Sequence, residues 1–262
     1  MFERTARCAA VLAVACTASF LIAAAAGPSP QQILSQVDKV RNPAAAFAVN
    51  NLATEYKSGK ATGQAAFVVQ SKLDGRTAQY RNVIGYIAPA RDAGKLILMN
   101  GAAMWFYDPN SRQSIRISPQ QRLIGGASNA DVLAINLARD YKANVAAPET
   151  VKNADQAVRQ SWRLDMTPSS PQAAYGRIEY WVDRQTLLPI KGRFYADSRR
   201  LLKTVFYSAF KPALGGQRPT KVTIIDQLNS AHVTTMQFQN YRKSDVPDSY
   251  FEREYLSRIK VK

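Results

Sequence analysis

The chain has 262 residues, 46% of them hydrophobic and 21% charged, with a formal net charge of +16. These proportions are globular and exclude a disordered or collagenous chain. With Cys8 and Cys16 as the two cysteines and His232 as the single histidine, a zinc-thiolate cluster and a His-rich metal site are excluded, and neither a metal nor another cofactor is expected.

Arg4 and Arg7 precede an uncharged run from residue 9 to residue 26, which ends on the small residues Ala24 and Ala26 before Gly27-Pro28. This pattern predicts a cleaved secretory signal peptide over residues 1–26. Cys16 has Ala13 three residues before it, where a lipoprotein signal carries leucine. Cleavage would remove both cysteines and leave the charge strongly positive. On an exported chain that charge either serves only to keep the protein soluble or points to anionic membrane surfaces or acidic lipids rather than to nucleic acid.

Ser29-Pro30 reads as a capped helix start, and Ile33, Leu34, Val37 and Val40 follow on one face. A second, weaker helix is expected from Ala44 to Tyr56, after Asn42-Pro43. Strands are then expected over 63–72 and 77–87, joined by the hairpin signal Asp74-Gly75, and over 95–100, 104–107 and 113–117. Residues 118–150 break the pattern: Gly125-Gly126 reads as flexible, and a helix is expected from Ser128 or Asn129 to about Ala143, closed by Pro148. Strands resume over 160–166, 177–183, 190–196, 201–210, 221–228 and 232–241, and a short helix is expected over 247–259. No stretch rich in Pro, Gly or Ser marks a boundary, so residues 27–262 are expected to form one domain.

The chain carries no obvious catalytic constellation. His232 stands in a strand, with Asp226 as its nearest acidic neighbour in sequence. The carboxylates Asp165, Glu179 and Asp183 could pair for acid–base work, but two of them share a strand face with Arg177, as solvated charges do. Apolar and aromatic surface is the more prominent feature. Met104-Trp105-Phe106-Tyr107 and Thr204-Val205-Phe206-Tyr207 are apolar on both faces, so either the sheet is buried on both sides without a cavity, which composition alone favours, or one face packs under helices while the other lines a hollow.

Gly101-Ala102-Ala103-Met104-Trp105-Phe106-Tyr107-Asp108-Pro109 is followed by the basic strand Ser111–Ser118, then by Gln121-Arg122-Leu123-Ile124-Gly125-Gly126 and Ser128-Asn129-Ala130-Asp131. This succession resembles the LolA/LolB-like outer-membrane lipoprotein-sorting family. Leu187-Leu188-Pro189-Ile190 and Arg193-Phe194-Tyr195 continue the likeness downstream.

The resemblance implies an α+β fold: an incomplete antiparallel β-barrel of about ten to eleven strands with helices covering its concave face. It implies a non-enzymatic periplasmic carrier or chaperone that holds lipoprotein acyl chains or other lipids for transport toward the outer membrane. The expected lining is Trp105, Tyr107, Trp162, Trp181, Phe194 and Phe206, with Arg116 and Arg122 holding a head group or pinning the lid. A second reading on the same fold is an accessory or sensor module without transferable cargo, whose partner would be an inner-membrane transporter or a signalling protein.

Overall fold

The computed structural model describes residues 27–171 and 173–261, and the predicted signal peptide lies outside them. The first element, α1 (Pro30–Arg41), begins at a capping box. Ser29 Oγ accepts from the Gln32 amide at 3.3 Å, and Gln32 Oε1 accepts from the Ser29 amide at 2.8 Å, with Pro30 at the first helical position. Its apolar stripe, Ile33, Leu34 and Val37, has no exposure.

A meander follows: β1 (Phe47–Lys57), β2 (Lys60–Asp74), β3 (Gln79–Ala88), β4 (Leu96–Asn100), β5 (Ala103–Asp108) and β6 (Gln113–Arg116). A covering segment then carries a small ribbon, β7 (Arg122–Ile124) with β8 (Ala127–Ser128), and two single-turn helices, α2 (Asn129–Val132) and α3 (Leu137–Asp140). The second meander is β9 (Tyr141–Lys152), β10 (Val158–Pro168), β11 (Arg177–Asp183), β12 (Pro189–Tyr195), β13 (Leu201–Ala213), β14 (Gly216–Asp226) and β15 (His232–Lys243).

β15 closes back onto β1, so the two meanders merge into one thirteen-stranded antiparallel sheet ordered β6-β5-β4-β3-β2-β1-β15-β14-β13-β12-β11-β10-β9. β6 and β9 remain as free edges, and the barrel is incomplete. The accumulated twist of so many strands curls an open sheet around its apolar side. The segment joining the two edges must cross that side, which is why the helical insertion falls at this point in the chain.

The sheet holds more strands than the ten to eleven expected, because two segments read as helical are strands. β1 replaces the expected helix over 44–56. It lies between β2 and β15 with Ala53 fully buried, and pairing on both sides overrides a helical composition. β9 takes the end of the other expected helix and contains Pro148, which is tolerated because β9 is an edge strand. The C-terminal segment forms two 3₁₀ stretches, Asp248–Phe251 and Arg253–Arg258, rather than an α-helix.

Two layers of core follow from strand alternation. On the inner face, Phe67, Ile84, Ile97, Tyr180, Val205 and Ile224 pack with α1 and the covering segment. On the outer face, Val83, Leu96, Leu98 and Tyr107 are covered by Phe251 and Leu256 of the C-terminal turns. β4 is therefore buried on both sides.

Candidate functional site

Between the inner face of the sheet and its cover lies a hollow of about 300 Å³. Val69 and Met104 line it from one arm, Phe194, Tyr207 and Val222 from the other, and Leu133 from the cover. The size and apolar lining are those of a small-ligand site.

The cover is irregular backbone, so its amides and carbonyls need partners from outside itself. Side chains supply them. Asn82 Oδ1 accepts from the Ala134 amide at 3.1 Å and Asn82 Nδ2 donates to the Ala134 carbonyl at 3.0 Å. Gln79 Oε1 accepts from the Asn136 amide at 2.8 Å. From α1, Asn42 donates to the Ile135 carbonyl at 2.9 Å and Asp38 accepts from the Ala138 amide at 2.7 Å. The glycines expected to be flexible are seated instead. Gly125 has φ +54° and lies so close to Thr234 and Glu55 that a side chain would collide with them. The Gly126 amide donates to Thr234 Oγ1 at 2.9 Å.

A buried ion pair pins the other end of the cover. Lys203 Nζ on β13 lies 2.5 Å from Asp131 Oδ2 and 3.1 Å from Ser128 Oγ, and the two charged side chains are 5% and 9% exposed. Burial works against the ammonium, but Asp131 and Tyr175 outweigh it and hold Lys203 above the ordinary lysine range.

At the C-terminal end of α1 the balance runs the other way. Burial pushes Asp38 up to about 6, despite the opposing pull of Arg41 and of the Ala138 and Leu137 amides, with Asp140 adding to the rise. The folded chain therefore holds the Asp38 proton more tightly than the unfolded one does. Stability falls as pH rises from about 4 through about 6 and is level above that. At about 1.4 kcal/mol per pKa unit the Asp38 contribution is about 3 kcal/mol. Urea unfolding of the native chain and of Asp38→Asn between pH 4 and 7.5 checks this: the difference between the two is expected to grow across that window, and a constant difference would refute it.

The structure separates the residues expected to line a lipid site. Phe194 reaches the hollow, with its ring edge-on to Tyr175 at 4.9 Å. Trp162 packs against the inner core without lining the hollow, and Arg184 lies 4.5 Å over its ring. Trp105, Tyr107, Trp181 and Phe206 do not line it. Trp105 packs on the outer cluster under Arg253, 4.1 Å away, with Tyr107 beside it. Trp181 packs on Val151 and Ile190, and Lys191 lies 4.5 Å over its ring. Phe206 alternates with the inward Val205 and Tyr207. Arg116 is exposed on edge strand β6. Arg122 is exposed beside a second, shallower depression next to Lys203 and Asp226.

The carboxylates considered for catalysis are engaged elsewhere. Arg177 bridges Asp165 at 2.7 Å and Glu179 at 3.0 Å, and Tyr195 donates to Glu179 at 2.7 Å. Asp183 accepts from the Thr186 amide at 2.9 Å. Asp226 accepts from the Leu228 amide at 2.8 Å.

Sequence reasoning overlooked Asp38, Arg41 and Lys203. Their signal was faint: an acidic and a basic residue three apart at the end of an amphipathic helix, and a lysine in phase with the inward-facing Val205 and Tyr207.

An open antiparallel half-barrel with a lidded apolar hollow is the LolA-like fold. A LolA superfamily protein from Nitrosomonas europaea superposes with a TM-score of 0.77 at 29% identity, covering 87% of this chain and 99% of that one. A DUF1329 family protein from Desulfovibrio piger gives 0.72 at 22% identity, covering 87% and 97%. An outer membrane lipoprotein-sorting protein domain from Vibrio parahaemolyticus gives 0.72 at 15% identity, covering 87% and 98%. No curated protein matches in sequence. The family model described as "Uncharacterized protein" matches residues 78–258, and the chain belongs to that family.

Proposed function

We propose that this chain is a periplasmic carrier that shelters acyl chains, of lipoproteins or of other lipids, in the hollow beneath residues 118–140. The observation that carries this reading is the hollow itself, lined by Val69, Met104, Leu133, Phe194 and Val222 and closed by side-chain latches rather than by regular structure. Burying an acyl chain is favourable by about 0.8 kcal/mol per methylene. A cover held by a handful of hydrogen bonds can open without unfolding the sheet, and cargo can then leave. The 29% identity to a LolA superfamily protein supports the same reading.

Native mass spectrometry of the protein purified from the periplasm, followed by lipid extraction, tests it. The expected result is one acylated molecule or lipid per chain. Val222→Trp fills part of the hollow; displacing two methylenes from it weakens binding about tenfold. Trp105→Phe, on the outer face, is expected to leave binding unchanged. An empty protein that refuses added lipid would sink the carrier reading and favour the partner-binding module.

A further inference from the structure

Among the described residues, three charged side chains line the hollow: Arg41, Asp131 and Asp140. Both carboxylates are already committed. Asp131 is bound to Lys203, and Asp140 accepts from Arg139 at 2.6 Å and from Gln79 at 2.8 Å. Arg41 is not. Among the described residues its guanidinium makes no hydrogen bond; its one ion-pair contact, from Nη1 to Asp38 Oδ1, is long at 3.7 Å, and Nη1 is buried without a hydrogen-bond partner. Asp38 lends Arg41 a counter-charge but no hydrogen bond. Tyr180, Tyr207 and Tyr241, and the carboxylates Asp38 and Asp131, lie close enough to Arg41 to interact with its charge. A guanidinium nitrogen buried without a hydrogen bond carries a desolvation cost that an incoming anion would relieve.

We propose that Arg41 is the anion-binding end of the hollow, so that the cargo is an acyl chain bearing a carboxylate or phosphate, with the anion on Arg41 and the chain along Phe194 and Val222. This rests on the carrier reading above and narrows its ligand class. Nothing in the apolar lining alone would distinguish a charged from a neutral chain, whereas Arg41 would.

The test compares palmitate, 1-palmitoyl lysophosphatidate and the neutral hexadecanol by equilibrium dialysis against the native chain, Arg41→Gln and Arg41→Lys. A charge-assisted contact predicts that the native chain prefers an anionic ligand over hexadecanol by about tenfold, and that Arg41→Gln removes this preference without changing hexadecanol affinity. Arg41→Lys should retain part of it. Which anionic ligand gains more identifies the source of the anion, carboxylate or phosphate.

Equal affinity of the native chain for all three would overturn the anion site while leaving the carrier reading standing, and it needs no variant to fold. An equal loss for all three in a folded Arg41→Gln would also overturn it, reducing Arg41 to a structural residue. Failure of all three to bind the native chain would overturn both readings together.

Discussion

Replacing Lys203 by methionine is expected to destabilise the chain by about 3–5 kcal/mol, because it leaves the Asp131 carboxylate buried without its counter-charge. The pair is almost dry, and the lysine ammonium also lies 4.9 Å over the Tyr175 ring and 5.6 Å over the Phe194 ring. Asp131 is doubly engaged, since its Oδ2 also accepts from the Ser128 amide at 2.7 Å and from Ser128 Oγ at 2.9 Å, which starts α2. The double variant Lys203→Met, Asp131→Leu should therefore recover most of the loss but not the capping contribution of about 1 kcal/mol. Urea unfolding monitored by tryptophan fluorescence measures all three. A loss under about 1 kcal/mol in the single variant would mean that the pair behaves as a surface ion pair. The consequence for function follows from position. The pair ties the cover to β13 beside Tyr175 and Phe194, so weakening it should loosen the closed hollow before the sheet melts.

The second large effect is expected at α1. Leu34→Ala should cost about 2–5 kcal/mol, the transfer energy of the lost methyl groups plus the cavity they leave. Leu34 has no exposure, and α1 packs against α3, β9 and β14, so the helix cannot collapse into the space without moving three neighbours. The exposed Ile115, at 58% accessibility, is the control: Ile115→Ala should change stability by no more than about 0.5 kcal/mol. Comparable losses at both positions would show that α1 is not integral to the fold. Arg218 adds to the anchoring of this helix, donating to the Val40 carbonyl at 2.9 Å and to the Lys39 carbonyl. These contacts satisfy the helix's free C-terminal acceptors with a cation, the favourable sign at that end.

Much of the sheet is legible from period-two alternation. The strand expected over residues 177–183 is β11, and the hairpin expected at Asp74-Gly75 joins β2 to β3. The segments misread as helices failed for identifiable reasons. β1 is rich in alanine and polar residues, and only its pairing with both β2 and β15 makes it a strand. The covering segment read as one helix because Val132, Leu133, Ile135 and Leu137 are apolar. In the fold, residues 133–136 are held extended between α2 and α3 by Asn82, Gln79 and Asn42.

The aromatic surplus was legible, but composition alone showed neither that it encloses a hollow nor which residues line it. Trp105 and Met104 are adjacent on β5, and so are Trp181 and Tyr180 on β11; in each pair one residue faces the hollow side and the other the outer packing. Alternation separates two faces without saying which is concave, and here both are apolar because the C-terminal turns cover part of the outer one.

By itself the sequence determined the α+β class, the capped first helix, most strand positions and the lack of thiol chemistry beyond Cys16. These are local properties, set by backbone propensity, spacing and composition. Only the tertiary structure decided which face is inner, how the two meanders join through β1 and β15, and which charges meet. Lys203 and Asp131 are 72 residues apart in the chain, and among the described residues the fold leaves Arg41 Nη1 buried beside the hollow without a hydrogen bond. Such pairings depend on the curl of the whole sheet, which no local pattern encodes.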